Sequence, residues 1–463
     1  MVPHPPLIIP DIGRGEEKKI RNTINAYDEA ADRIGKLKPE TIIISSPHAA
    51  MYSDYFHISP GESAKGDFGG YRAPQVSFNE TYDHELADEI VHLAETEEFP
   101  AGFMGERDRT LDHGTMIPLY FIRKYWNDFK IVRIGLSGLP LADHYRLGDY
   151  IRRAVEQTGR RAVYVASGDL SHKLKATGPY GYAPEGPDYD ERIMTVMGTG
   201  DFEGLFDFSE AFCDKAAECG HRSFVMMAGA FNGQGVRAEA LSHEDVTGVG
   251  YGICCFEPTG PDDERFFLEK YYERKDREIG QMRSSEDVYV HTARMALEAY
   301  IRDGRTLEPE EASGRLEPGT QEYEGLYETA AGAFVSIHKD GRLRGCIGTI
   351  APLEKYVAAE LVRNAISAAT SDPRFDPILP EELGNLEYSV DVLGTPEPIS
   401  GPEELNVKRY GVIVSKGFRR GLLLPDLDGV DTVEDQIDIA RKKGGIGEHE
   451  KYKLERFEVI RHH

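Results

Sequence analysis

The sequence has few of the features that mark secreted, disulfide-rich or membrane-spanning proteins. Its five cysteines are an odd number without a Cys-x-x-Cys pair, which argues against a disulfide framework or a thiolate zinc knuckle. No apolar run approaches the roughly 20 residues that a membrane-spanning helix needs. No basic segment with a small-residue cleavage site opens the chain, so we expect a cytoplasmic protein without a membrane partner.

Basic residues are scarce relative to acidic ones. There are 54 lysines and arginines against 80 aspartates and glutamates, which gives a formal net charge of -26. A surface of this charge repels phosphate backbones instead of releasing their counterions. We therefore expect no nucleic-acid partner. The sequence leaves open whether the protein is an oligomer.

The length and the hydrophobic pattern predict two domains of different type. A chain of 463 residues exceeds the roughly 100 to 200 residues of an ordinary domain. Over residues 1–257, short apolar runs at 41–45, 130–135 and 162–166 alternate with helical periodicity, as at 84–96 and 142–157. This alternation predicts an α/β domain with a mainly parallel sheet covered by helices.

The second part of the chain has a different pattern. Turn formers and charges at 257–264 mark a boundary, and we expect a charged connector over 258–283. In residues 284–463, Asp340-Gly341 lies between two apolar runs and predicts a β-hairpin. We expect a smaller α+β domain with antiparallel strands.

Four histidines of the first half are surrounded by turn-forming residues. Three of the four directly follow or end an apolar run that is typical of a β-strand, and ligands collect at the carboxyl ends of the strands in parallel sheets. Imidazole is the commonest metal ligand and exchanges protons near neutral pH. The pattern therefore indicates a metal and proton-transfer site. The four motifs are Pro3-His4-Pro5-Pro6, Ser46-Pro47-His48, Asp112-His113-Gly114 and Ser167-Gly168-Asp169-Leu170-Ser171-His172.

These motifs, in this order, resemble the class III extradiol ring-cleavage dioxygenases of the protocatechuate-dioxygenase beta-subunit type and the related Memo proteins. The resemblance covers residues 1 to about 256. It implies that His4 and His48 are metal ligands, that His172 is the active-site acid/base, and that His113 contacts substrate or oxygen. Asp169 is expected to orient the ring of His172 or to assist substrate binding. For Asp112-His113, capping of a helix by Asp112 is an alternative explanation.

The third ligand decides between the two branches of the resemblance. Ring-cleaving members use a late glutamate, whereas Memo-like proteins have a cysteine in that place. Here Glu218 and Cys219 are adjacent, and neighbouring residues point in different directions, so we expect only one to face the metal. We favour Glu218, because a hard carboxylate suits iron(II).

The resemblance implies a non-haem iron(II)-dependent oxidoreductase, with another divalent metal as an alternative. Two imidazoles and one carboxylate on one face of the ion leave open positions for an aromatic diol and dioxygen. The expected substrate is therefore a small aromatic diol, with His172 moving its proton. Two alternatives stay open: a Memo-like metal-binding interaction protein, and a metal-assisted enzyme of another kind that works with a radical-SAM partner.

A six-residue motif in the second domain, Leu343-Arg344-Gly345-Cys346-Ile347-Gly348, resembles the AMMECR-type domain. The fusion with a dioxygenase-like domain is similar to proteins of the AmmeMemoRadiSam system, which implies a radical-SAM protein partner. Cys346 is a candidate nucleophile if Arg344 or Arg374 lowers its pKa. The alternative is a small buried cysteine beside glycines that mark tight packing.

Overall fold

The computed structural model of the protein describes residues 1–105, 110–427 and 429–463. The chain forms two compact units, Met1–Tyr272 and Glu273–His463. The division lies inside a charged helix, α9, at Phe267–Ser285. It therefore falls within the connector that the sequence predicts at 258–283.

The first unit contains eight helices before α9 and nine strands among its described residues. The helices are α1 (Pro10–Gly13), α2 (Arg21–Leu37), α3 (His84–Thr96), α4 (His113–Ile122), α5 (Leu141–Thr158), α6 (Glu185–Thr199), α7 (Glu210–Ala216) and α8 (His221–Gly229). The strands are β1 (Thr41–Ser46), β2 (Phe56–His57), β3 (Ser63–Phe68), β4 (Ala73–Thr81), β5 (Ala101–Gly102), β6 (Lys130–Gly135), β7 (Ala162–Ala166), β8 (Gln234–Glu244) and β9 (Tyr251–Pro261).

The centre of this unit is a parallel sheet in the order β6-β1-β7, as the sequence predicts. Strand β1 pairs in parallel with both neighbours and is buried along its whole length. Ile42 packs in one hydrophobic cluster with Tyr27 of α2, and Ile43 packs in another with Ile90 of α3. Helices therefore cover both faces, which explains the uninterrupted apolar run of β1.

Two segments differ from the expectation. The N-terminal segment that carries His4 is not a strand of its own but forms a single parallel bridge between Val2 and Ser167, beside the end of β7. The long antiparallel ribbon of β8 and β9 extends to Pro261, so the turn-rich stretch expected from 257 is paired backbone at its start. The local composition indicates a turn here, but the hydrogen bonds between the two strands of the ribbon keep the backbone extended.

The second unit is α+β with antiparallel sheets, as predicted. One sheet has the order β11-β10-β12-β17 and the other β13-β16-β14-β15. The helices are α10 (Val288–Asp303), α11 (Pro309–Ala312), α12 (Gln321–Tyr323), α13 (Val357–Thr370) and α14 (Val433–Lys443). The strands are β10 (Ala333–Lys339), β11 (Arg342–Gly348), β12 (Leu386–Leu393), β13 (Glu397–Ile399), β14 (Gly411–Lys416), β15 (Arg419–Leu423), β16 (Lys453–Phe457) and β17 (Val459–His462).

The predicted hairpin connects β10 to β11 through a two-residue turn. Lys339 pairs with Arg342, and the two residues between them have positive φ, 53° at Asp340 and 74° at Gly341. Two consecutive left-handed residues match the strand twist of a tight hairpin and favour Asp-Gly. The local sequence therefore accounts for this element directly.

In the part of the chain that the structure describes, none of the helices has the length and apolar character needed to cross a membrane.

Candidate metal centre

His4 and His48 meet at the carboxyl end of the parallel sheet. His4 follows the bridge at Val2, where the Tyr27 hydroxyl donates a hydrogen bond to the Pro3 carbonyl at 2.6 Å. His48 lies two residues beyond the end of β1. The Nε2 atoms of the two imidazoles are 3.0 Å apart.

Cys219 completes a set of three ligand atoms. Its Sγ lies 3.6 Å from Nε2 of His4. The ligand atoms of His4, His48 and Cys219 all lie within 4.8 Å of one another, which is compatible with a shared metal ion. Soft thiolate and imidazole donors together suit iron, copper or zinc.

The backbone before α8 brings Cys219 to this position. Ala217 has a left-handed φ of 54°, which turns the chain sharply after α7. The next residues run along the loop after β7, where the Asp169 N–H donates to Cys219 Sγ at 3.3 Å and the Cys219 N–H donates to the Asp169 carbonyl at 3.4 Å. Both loops therefore hold the thiol through backbone contacts.

Glu218 does not join this set of ligand atoms. Its Oε2 accepts a hydrogen bond of 2.6 Å from the backbone N–H of His221, the first residue of α8. A carboxylate is favoured there because the helix N-terminus carries unpaired N–H groups and a partial positive charge. Burial raises the pKa of Glu218 to about 7. The preference for Glu218 as third ligand is thus at odds with the observed geometry, in which the adjacent Cys219 lies at the histidines.

Ser167 orients the ring of His4. The Ser167 hydroxyl donates to the Gly114 carbonyl at 2.7 Å, so its oxygen accepts from Nδ1–H of His4 at 3.0 Å. This arrangement leaves the lone pair on Nε2 of His4, the atom that lies near Cys219 and His48. A neighbour that fixes the tautomer in this way is typical of metal-ligating histidines.

His113 lies beside the two candidate ligands. It is the first residue of α4, and its ring centroid is 4.0 Å from that of His48 and 5.4 Å from that of His4. Asp112 caps the helix by accepting from the Thr115 backbone N–H at 2.9 Å. The aspartate is therefore a helix cap, and the histidine lies beside the candidate ligands, while its contact with substrate or oxygen stays a prediction.

Asp112 also supports His48. Its Oδ1 accepts from the Ser46 hydroxyl at 2.6 Å, and the Ser46 oxygen accepts from the His48 backbone N–H at 3.2 Å. Burial opposes ionisation of Asp112, but these hydrogen bonds and Arg133 bring its pKa below the usual value. The helix cap therefore carries a charge that is held near the histidines.

His172 and Asp169 lie on the loop after β7. The His172 Nδ1–H donates to the carbonyl of Ala217, so the lone pair of this imidazole is on Nε2. Asp169 Oδ1 accepts from the His4 backbone N–H at 2.7 Å, and burial raises the pKa of this carboxyl. Ala217, the residue with the left-handed φ before Glu218-Cys219, thus also orients the ring of His172 through its carbonyl.

Burial keeps the candidate ligand histidines neutral. It lowers the pKa of His4 to about 3, with a further contribution from His48, and it lowers the pKa of His113 to about 4. The pKa of His48 is also lowered, chiefly by burial. Neutral imidazoles keep the lone pairs that metal binding requires.

Comparison with known proteins identifies the family. Residues 1–254 match the family model described as the catalytic LigB subunit of aromatic ring-opening dioxygenase. The chain belongs to the LigB family. Behind this unit, residues 288–462 match the AMMECR1 family model.

Some relatives of this LigB-family chain align over its whole length and others over a part of it. Protein CA_C1420 of Clostridium acetobutylicum is 41% identical over 471 aligned residues, covering 100% of this chain and 98% of that protein. A protein of Thermotoga maritima is 49% identical over 179 residues, which are 38% of this chain and 98% of that protein. The solved structure of protein PH0010 from Pyrococcus horikoshii is 31% identical, covers 37% of this chain and 88% of that one, and has a TM-score of 0.33.

Aromatic residues also lie near the LigB-family site. Tyr180, in the loop after β7, lies against His172, with ring centroids 5.1 Å apart. Tyr182 of the same loop pairs with Leu174, and Tyr189 lies in α6 and is fully buried in a hydrophobic cluster. Sequence reasoning missed Tyr71, whose ring lies 5.8 Å from that of His113. The sequence feature that could have indicated Tyr71 is its position in a glycine-rich turn between two polar strands.

In the AMMECR1 domain, the two arginines considered as activators of Cys346 are engaged by carboxylates. Arg374 pairs with Asp372 at 2.7 Å, and Arg344 pairs with Glu382 at 3.0 Å. The backbone N–H of Cys346 donates to Asp372 at 2.9 Å. These contacts anchor the strand at Cys346, whose side chain is half-buried, and they pair both arginines with carboxylates instead of leaving them to activate the thiol.

Proposed function

We propose that the LigB-family unit is a metal-dependent oxidoreductase for a small aromatic diol, with the metal held by His4, His48 and Cys219. Iron(II) is the expected metal, and another divalent ion is the alternative. The observation that carries the proposal is the grouping of these three ligand atoms within 4.8 Å, beside the ring of His113.

The donor set suits a redox-active metal. The two imidazoles are neutral, and the thiol supplies the anionic ligand that the sequence assigned to a carboxylate. Burial raises the pKa of Cys219, so a bound cation must displace the thiol proton. Bound iron(II) would supply the electron transfer to dioxygen and the activation of the diol.

The protein residues supply proton transfer and orientation. With Nδ1–H of His172 donating to Ala217, its Nε2 is free to accept a proton from a diol hydroxyl and to return it during ring opening. Such general acid/base catalysis typically contributes about 100- to 10,000-fold. His113, whose neutral form is favoured by burial, is positioned to hydrogen-bond a substrate or oxygen atom.

Anaerobic purification, metal analysis and oxygen uptake with a panel of catechols test this proposal. We expect stoichiometric iron and an oxygen-dependent yellow ring-opened product. H172A should retain the iron and lose the product. H92A, which alters an exposed histidine of α3, is the matched control and should match the wild type. Iron-loaded protein that consumes no oxygen with any diol would contradict the proposal.

Cys219 favours a second candidate, a Memo-like metal-binding protein that acts by interaction, with a radical-SAM protein as the expected partner. The motivation is the cysteine, which replaces the glutamate of ring-cleaving members at the ligand cluster. Metal binding that depends on Cys219, without turnover of any diol, supports this candidate.

A further inference from the structure

Two tyrosines from separate segments stand at the histidine cluster although they are not buried. Tyr71 is 40% exposed and Tyr180 is 60% exposed. Each ring makes an edge contact with one of the two histidines that are not candidate ligands. Packing alone does not account for large aromatic rings that lie against a polar site and remain open to solvent.

Tyr71 extends a run of neighbouring rings that starts at the candidate ligands. The ring centroids of His48 and His113 are 4.0 Å apart in a tilted arrangement, and those of His113 and Tyr71 are 5.8 Å apart, with the rings at 62°. Behind it, the fully buried Phe68 contacts the Tyr71 ring at 6.0 Å. The ring of Tyr71 is therefore supported from two sides.

Tyr180 approaches from the loop after β7. Its ring stands at 86° to that of His172. The loop is closed by a bridge between Leu174 and Tyr182 and by a hydrogen bond of 3.2 Å from the Leu174 N–H to the Gly248 carbonyl. These contacts hold the tip that carries Tyr180 over the histidine.

Each tyrosine reaches the site through a different histidine. Tyr71 contacts His113, which lies beside His48, and Tyr180 contacts His172. An aromatic ring therefore adjoins each of the two histidines that are proposed to handle protons.

We propose that Tyr71 and Tyr180 form an aromatic clamp that receives the planar ring of the substrate and selects aromatic over aliphatic diols. The inference deepens the proposed function and rests on it for the choice of a diol. Edge or offset contacts with two tyrosine faces favour a flat ring, whereas a puckered aliphatic ring cannot make them.

Calorimetric titration of the full chain without oxygen tests the clamp, with and without iron(II). The probes are 4-nitrocatechol and cis-cyclohexane-1,2-diol. We expect the wild type to bind the aromatic probe more tightly. Y71A and Y180A should each raise the Kd for 4-nitrocatechol about two- to tenfold, the range of an aromatic pair contact, and leave the Kd for the aliphatic diol unchanged.

Y71F and Y180F keep the rings and should bind within twofold of the wild type. Y182A is the matched control, since Tyr182 is equally exposed in the same loop, at 57%, but pairs with Leu174. An unchanged Kd in both Y71A and Y180A, an equal loss in Y182A, or a wild type without preference for the aromatic probe overturns the clamp.

The two proposals fail in different ways. If the alanine variants lose the aromatic preference in metal-free protein, but iron-loaded protein consumes no oxygen, the clamp is supported and the dioxygenase activity is contradicted. If oxygen uptake depends on His172 while the alanine variants bind 4-nitrocatechol as the wild type does, the activity is supported and the clamp is contradicted.

Discussion

The backbones of Gly168 and Gly220 lie against each other: a Cβ on Gly168 would stand 2.1 Å from Cα of Gly220. Gly168 directly precedes Asp169, and Gly220 directly follows Cys219. This close approach lets the loop after β7 and the loop before α8 exchange the hydrogen bonds that hold the thiol at His4.

We predict that G168A moves Cys219 away from the histidines. The added methyl group meets backbone, which cannot yield as a flexible side chain can, so we expect destabilisation of about 1–3 kcal/mol and a clear loss of bound iron. Thermal unfolding and metal analysis after iron loading measure both. G280A, at a helix position with open space, is the control. Full iron content in G168A would refute this account of the two loops.

The assignment of the third ligand is tested by a pair of substitutions. C219S should lower the affinity for iron at least tenfold, because a neutral hydroxyl is a weak substitute for a thiolate. E218Q should stay within about threefold, since an amide oxygen can still accept from the His221 N–H. Competition with a chromophoric chelator measures both affinities. A larger loss of iron affinity in E218Q than in C219S would indicate that Glu218 is the third ligand.

Ser167 should affect metal binding although it is not in the ligand set. S167A removes the acceptor of Nδ1–H of His4, and loss of such a partner typically costs about 10- to 100-fold in metal affinity. S223A removes another buried hydroxyl, which lies 2.6 Å from that of Ser45, and should leave the affinity unchanged. Equal affinities of S167A and the wild type would show that the tautomer does not need this serine.

The AMMECR1 domain should lose stability in acid through Glu382. Burial opposes its ionisation, but Arg344 at 3.0 Å and Lys339 at 3.2 Å hold its pKa down to about 2. The stabilisation is complete above the unfolded value of about 4.3 and is lost as the pH falls from there toward 2.

E382Q should therefore unfold at a lower temperature than the wild type at pH 7, and the difference should shrink as the pH falls below about 4. Thermal unfolding of the full chain at several pH values measures this. E381Q alters an exposed neighbour and serves as control. A temperature difference that is independent of pH would mean that the carboxylate charge of Glu382 is not responsible.

Much of the fold could be predicted because its signals are local. The apolar runs of β1, β6 and β7 have the pattern that a sheet covered on both faces requires. Helix α3 has the predicted bounds, His84–Thr96. The Asp340-Gly341 turn has the backbone that its sequence favours. The far end of the β8–β9 ribbon was not predicted, because it contains prolines and glycines that indicate a turn.

The sequence by itself determined which residue types the site offers and at which strand ends they stand, because parallel strands bring turn residues such as His48 and His172 to one edge. It also indicated that only one of Glu218 and Cys219 would face the histidines. The tertiary structure alone decided that Cys219 does so, since the left-handed turn at Ala217 and the contact of Gly168 with Gly220 direct the thiol to His4. These contacts join segments about 50 residues apart, so no local pattern could reveal them.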